Sequence, residues 1–292
     1  MNDQTKHWIM AIRPRTLPAG AAPVILGLGL AWEQGLCWWA AAAALACCIF
    51  MQIGANLVND YFDYAHGVDD KDRLGPDRVT QQGLIPPGQV KAAFIACFAA
   101  AFLLGVALAV RGGLPIVIIG LASIAFAYLY TGGPKPLSYL GLGEALAFLF
   151  FGPVAVGGTY YLQTLEISKT VIVAGMGPGF LAAMLMSVNN LRDIASDTRT
   201  GKRTVAVMLG ERRARIFSLS LLLFSWLMPL IYLGEHPAKL IVIAAPLSAQ
   251  LFKDHWRAIS NAPLDKKMNL VLAATGQYAF VYSLLFAIGV AV

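Results

Sequence analysis

Residues 56–78 read NLVNDYFDYAHGVDDKDRLGPDR, and they follow a run, residues 36–55, that holds no charged side chain. About 20 apolar residues cross a bilayer as a helix. Here such a helix ends by presenting Asn56, Asn59, Asp60 and Asp63 where it meets water. Asn56, Asp60 and Asp63 are spaced i, i+4, i+7, so a helix puts them on one face. Ionisable groups at a membrane helix end are costly and face a protein interior or an aqueous cavity rather than lipid. The loop beyond mixes Asp69, Asp70, Asp72 and Asp77 with Lys71, Arg73 and Arg78.

The rest of the chain is of the same kind. Of its 292 residues 58% are hydrophobic and 13% charged, and the mean hydropathy is +0.65. A soluble domain carries about 25% charged residues, so this chain lacks the polar surface for one. The fold class that follows is all-α: a polytopic membrane bundle of about nine transmembrane helices around a central cavity, in a single domain over 1–292. The candidate spans are 17–32, 36–59, 92–110, 114–130, 140–161, 171–191, 216–233, 238–252 and 270–292, the eighth being short. The basic N-terminus ahead of the first span reads as a retained span, not a signal peptide. The cysteines Cys37, Cys47, Cys48 and Cys97 show no CxxC spacing and no zinc-ligand pattern.

Lys and Arg mark the cytoplasmic side of a membrane protein. With the N-terminus cytoplasmic and nine spans, all of the 22 Lys and Arg except Arg111, Lys169 and Lys239 fall on the inner side. That asymmetry accounts for the net charge of +6 without nucleic acid as a partner. The expectation is a multi-pass protein of the cytoplasmic (inner) membrane with its active site facing the cytoplasm.

A second polar helix end lies in residues 187–210, SVNNLRDIASDTRTGKRTVAVMLG. Asn189, Asp193 and Asp197 are spaced i, i+4, i+8, again one face, and again on the inner side. The shared order Asn, Asp, Asp reads as a weak internal repeat. Carboxylates converging on one cavity repel unless cations intervene. Mg²⁺ is held by one or two carboxylates together with substrate phosphates. The flanking bases Arg73, Arg78, Arg192, Lys202 and Arg203 suit a metal-bridged diphosphate. Metal ions and cations stabilise a leaving diphosphate, and an apolar cavity keeps an allylic carbocation-like species from water. A secondary transporter also carries membrane acids, but holds them near the bilayer midplane rather than at one face.

NDYFDYAHGVD (59–69) and NNLRDIASDTRTGKRT (189–204) resemble the two aspartate-rich motifs of the UbiA-type intramembrane aromatic prenyltransferases. Four further stretches resemble the branch that prenylates 1,4-dihydroxy-2-naphthoate in menaquinone biosynthesis. They are RPRTLPAGAAPVILGLGLAW (13–32), RLGPDRVTQQGLI (73–85), YLGLGEALAFLFFG (139–152) and TVAVMLGERRAR (204–215). The resemblance implies nine helices around a cavity, Mg²⁺ as cofactor, and polyprenyl diphosphate and 1,4-dihydroxy-2-naphthoate as substrates. It implies transfer of the prenyl chain with loss of CO₂ and diphosphate, to give demethylmenaquinol. Another acceptor such as 4-hydroxybenzoate is the alternative within the family. By position in the motifs, Asp60, Asp63, Asp193 and Asp197 would hold Mg²⁺–diphosphate, with Asn56, Asn59 and Asn189 in support. Asp69 matches the later aspartate of the first motif. Arg73, Arg78, Lys202 and Arg203 would neutralise the diphosphate, and Tyr130 and Lys135 are the nearest match to a Tyr–Lys pair of the family. Arg13 is a candidate for the acceptor's carboxylate and Glu144 for its hydroxyl.

Overall fold

The computed structural model describes residues 2–65, 67, 74–133 and 136–292. Asp69, Asp70, Lys71, Asp72, Arg73, Lys135 and His66 lie outside the described residues. Among the described residues every regular element is helical. Helix α1 (Asp3–Ile12) starts where the Asn2 side chain accepts from the Thr5 amide, and ends at Arg13, whose backbone is left-handed (φ 56°, ψ 67°). Helix α2 (Leu17–Leu30) begins with a proline in its first turn, where the missing amide costs nothing. Helix α3 (Trp38–Ala65) runs on past the apolar stretch, so the whole Asn/Asp face belongs to a continuous helix and not to its fraying end.

Helix α4 (Pro87–Leu129) has 43 residues. At 1.5 Å per residue that is about 65 Å, roughly twice the hydrocarbon thickness of a bilayer. Gly113 divides it into two arms by a backbone that an L side chain resists (φ 63°, ψ −153°). Helix α5 (Gly143–Leu149) passes through a π-helical turn, Phe150–Val154, into α6 (Ala155–Thr164). That turn lets α7 (Lys169–Arg192) approach: a Cβ on Gly152 would lie 2.7 Å from the Gly179 Cα. There follow α8 (Ile194–Arg199), α9 (Val205–Leu209), α10 (Glu211–Glu235), α11 (Ala244–Leu247), α12 (Lys253–Asn261) and α13 (Met268–Ala291).

Among the described residues six segments are long and apolar enough to cross a membrane: Trp38–Ala65, Pro87–Leu129, Gly143–Thr164, Lys169–Arg192, Glu211–Glu235 and Met268–Ala291. The protein is an integral, multi-pass membrane protein. The other expected spans take different forms. Span 17–32 is the 14-residue α2, and spans 92–110 and 114–130 are the two arms of α4. Span 238–252 is three short pieces, with α11 between the 3₁₀ turns Leu240–Ile243 and Ser248–Phe252.

Burial orders the bundle. Of its most apolar window, α7 hides 67% inside the protein and α4 only 22%, so α7 is central and α4 peripheral. The largest core is built around α7 and α13 from residues such as Leu181, Met184, Val188, Tyr278, Tyr282 and Phe286. A second core joins α3 to α4 through Leu57, Val58, Phe94 and Phe98. The two polar motifs thus stand on separate cores.

Candidate active site

A cavity of about 1090 Å³ is lined by residues of α1 to α8 and α13. Its wall is mostly apolar, with Ala44, Leu108, Ile116, Ile119, Phe150 and Leu162 among the lining residues. Phe102, Val106 and Leu121 of α4 line it and are about half exposed. The polar groups on its wall include those of the two motifs, Asn56, Asn59, Asp63, Arg78, Asn189, Asn190, Arg192, Asp193, Asp197 and Lys202, together with others such as Arg13, Arg15, Gln52, Arg199 and Asn269.

In the first motif, Asn59 and Asp63 reach the cavity one helical turn apart. The Thr131 hydroxyl donates to Asn59 Oδ1, which fixes that side chain to the end of α4. Arg78 forms a buried ion pair with Asp63. Asn56 lines the cavity too, but its amide is engaged: Nδ2 donates to the Ile12 carbonyl and to Thr16 Oγ1, both at 2.9 Å. Asn56 therefore anchors the α1–α2 junction, which carries Arg13 on the cavity wall. Asp60 corrects the sequence reading. It is 1% exposed and absent from the cavity wall, and its carboxylate accepts from the amides of Val79 (3.3 Å) and Thr80 (3.1 Å). Its structural work is to fasten the segment that delivers Arg78.

In the second motif, α7 ends at Arg192 and Asp193 breaks the helix before α8 (φ −93°, ψ 7°), so the three polar residues do not share one continuous helix. Arg192, 2% exposed, grips both carboxylate oxygens of Asp193. It also donates to Asn189 Oδ1 at 3.0 Å and Asn269 Oδ1 at 2.7 Å. Asn269 in turn donates to the Leu74 carbonyl at 2.8 Å, which ties the second motif to the loop after the first. Neither this role of Arg192 nor Asn269 was foreseen from the sequence. An asparagine at the start of the last apolar span was the available signal for Asn269.

Asp197 sits one turn into α8. Burial pushes its carboxyl up to about 6, with Lys202 Nζ at 3.6 Å opposing that shift. Lys202 also lies 5.5 Å over the Tyr139 ring. Arg203 is the second departure from expectation: its side chain is exposed and off the cavity wall, while its amide donates to the Tyr139 carbonyl. Tyr130 is on the wall, its hydroxyl 3.2 Å from Met186 Sδ. Glu144 is 4% exposed and off the wall, behind Asn190, which donates to it at 2.9 Å. Among the described residues no three acidic, His or Cys side chains converge closely enough to cage a cation alone.

Residues 21–284 match the model of the UbiA prenyltransferase family. The chain is 40% identical over 244 residues to the 1,4-dihydroxy-2-naphthoate octaprenyltransferase of Mycobacterium tuberculosis, covering 83% of each chain. It is 35% identical to the enzyme of the same name from Escherichia coli, covering 98% of this chain and 96% of that one. Among solved structures, a UbiA homolog from Archaeoglobus fulgidus bound to GPP and Mg²⁺ superposes with a TM-score of 0.68 at 17% identity, over 98% of this chain and 100% of that one. Two Asn–x₃–Asp pairs at one apolar cavity, and a family match over nearly the whole length, lead to one conclusion: the chain belongs to the UbiA prenyltransferase family.

Proposed function

We propose that the protein transfers a polyprenyl group from polyprenyl diphosphate to 1,4-dihydroxy-2-naphthoate, with loss of CO₂ and diphosphate, giving demethylmenaquinol. The observation that carries the reaction class is the pair of half-sites, Asn59–Asp63 with Arg78 and Asn189–Asp193 with Arg192, on the wall of one apolar cavity. The relatives' shared name selects the acceptor.

The donor set is all oxygen, which fits a hard cation. It fits in one particular way. No acidic cage forms among the described residues, and Mg²⁺ commonly completes its shell with substrate phosphates and water. Asp63, Asp193 and Asp197, supported by Asn59 and Asn189, would hold Mg²⁺ on the diphosphate. Bound there, the ion neutralises charge that develops on the leaving group. Arg78, Arg192 and Lys202, on the same wall, would donate to the same oxygens. Asp69 and Arg73, outside the described residues, belong to the same proposal by their motif positions, as does Lys135 with Tyr130.

The allylic C–O bond then breaks with the diphosphate held at the polar end, and the cation is kept from water by the apolar wall. A C–C bond forms to the naphthoate ring, and CO₂ leaves the ring in place of a proton. Arg13 on the wall suits the acceptor's carboxylate. The apolar side chains of α4 along the wall suit a prenyl tail. We place nine crossings over 1–292, counting α2, both arms of α4 and the broken segment near α11, with the N-terminus and the polar end on the cytoplasmic side of the inner membrane.

Purified protein given Mg²⁺, a polyprenyl diphosphate and 1,4-dihydroxy-2-naphthoate is expected to release diphosphate and CO₂ in equal amounts with a prenylated ring. Replacement by 4-hydroxybenzoate is expected to give no product. Diphosphate release without CO₂ from the naphthoate rules the assignment out.

A further inference from the structure

The pair formed by Glu144 and Asn190 is not used in the reaction described above. Glu144 stands in the first turn of α5, is 4% exposed, and has one carboxylate oxygen, Oε2, without a hydrogen-bond partner among the described residues. Its Oε1 accepts from Asn190 Nδ2 at 2.9 Å. Asn190 is 6% exposed and lines the cavity, beside Asn189 and less than one helical turn before Asp193. A carboxamide has one donor end and one acceptor end. Glu144 holds the donor end, so the acceptor Oδ1 is left over, and no group among the described residues donates to it. Oδ1 is not itself a buried atom: Asn190 lines the cavity, so a ligand or water there can donate to it.

A bond between two membrane helices can serve only to join them. That role would be complete with both amide ends satisfied, or with the pair away from the cavity. Neither holds here. The neighbouring wall is tight and shaped: a Cβ on Gly143 would lie 2.8 Å from the Tyr130 hydroxyl, and Tyr130 and Gly143 both line the cavity. The space in front of Asn190 thus lies next to the motif that would hold the diphosphate, where a ring must sit to meet the cation.

We propose that Asn190 Oδ1 accepts a hydrogen bond from the hydroxyl of the aromatic acceptor remote from its carboxylate, and that Glu144 is the positioning residue that fixes the amide for it. The near hydroxyl of such an acid bonds internally to its own carboxylate, which leaves the remote one to be read by the protein. This inference rests on the acceptor proposed above. A site built to accept from a hydroxyl discriminates against the analogue that lacks it, because its own buried group is then unpaired.

The test compares 1,4-dihydroxy-2-naphthoate, as substrate, with 1-hydroxy-2-naphthoate, which lacks the remote hydroxyl, as competitive inhibitor. Asn190→Ala is expected to raise the KM of the first about tenfold while the inhibition constant of the second stays within about twofold, the size of one lost hydrogen bond. The KM of polyprenyl diphosphate is expected to stay within about twofold as well, since that ligand lies on other residues. Glu144→Gln keeps the shape but can also donate to Oδ1, letting the amide turn over; it is expected to raise the same KM, by less, and it carries the test if Asn190→Ala does not fold. Equal weakening of both naphthoates, or of neither, overturns the inference. If the wild-type protein does not turn over 1,4-dihydroxy-2-naphthoate at all, the proposed function itself has failed, and the two failures are thereby distinguished.

Discussion

The two half-sites use the same parts in different ways. Each has an Asn and an Asp one turn apart on the cavity wall, and each Asp is paired with an arginine. In the second half-site the arginine is the neighbouring residue, Arg192, itself buried and hydrogen-bonded to Asn189, Asp193 and Asn269 at the end of α7. In the first it is Arg78, fifteen positions along the chain from Asp63, carried on a segment without helical support of its own. A partner brought by a loop must be fastened there, and Asp60 is the fastener, through the amides of Val79 and Thr80. The comparison teaches that equal-looking aspartates divide between holding the ligand and holding the protein.

The largest effect that can break this comparison is loss of a ligand-holding carboxylate. Asp63→Asn and Asp193→Asn are each expected to lower turnover by at least about 10²–10³-fold in a prenyl-transfer assay, the scale of losing one main electrostatic group. Their melting temperatures are expected to change little, because the amide oxygen still accepts from the buried arginine, Arg78 or Arg192. Asp60→Ala is expected to behave differently. It leaves two buried amides without an acceptor, at about 1–3 kcal/mol each, so a drop in melting temperature accompanies its loss of activity. An unchanged melting temperature for Asp60→Ala would merge the two classes of aspartate.

Asp197 sharpens the comparison through pH. Burial holds its carboxyl at about 6, above the ordinary 3.8. The raised value favours the protonated form in the folded protein. The stability it contributes is therefore full below the ordinary value and is lost as pH rises through about 6. A bound cation needs the ionised form and so reverses the preference. The Mg²⁺ concentration for half-maximal activity is expected to rise about fourfold between pH 7.5 and 5.5, from proton competition at a group with this pKa. No change over that range would remove Asp197 from the metal site. The smallest contrast is between adjacent bases. Lys202→Ala is expected to raise the KM of polyprenyl diphosphate about tenfold, as loss of a charge-assisted contact does. Arg203→Ala, whose side chain lies off the wall, is expected to change it by less than about twofold.

Much of this was legible in the residues. Apolar runs and missing charge gave the all-helical membrane class, and both polar helix ends were visible as interruptions of those runs. The split between Asp60 and Asp63 was not. At about 100° per residue, Asn56, Asn59, Asp60 and Asp63 fall within one arc of about 100°. Asp60 is at its edge, and periodicity cannot say which edge meets a cavity and which meets a loop. Pairing at a distance was equally hidden: Asn269 reaches Arg192 and the Leu74 carbonyl only because α13 packs beside α7. Nor does spacing show that Asn190 stands on the wall with Glu144 behind it, since that depends on how α5 packs against α7.

The central claim is that both half-sites hold one metal-bound diphosphate. Titration calorimetry of the purified protein with Mg²⁺ and a non-reactive prenyl diphosphate analogue tests it most directly. Weak binding of either alone, tight binding of the two together, and loss of that tight binding in both Asp63→Asn and Asp193→Asn are expected. Wild-type affinity for the pair in either variant would contradict it.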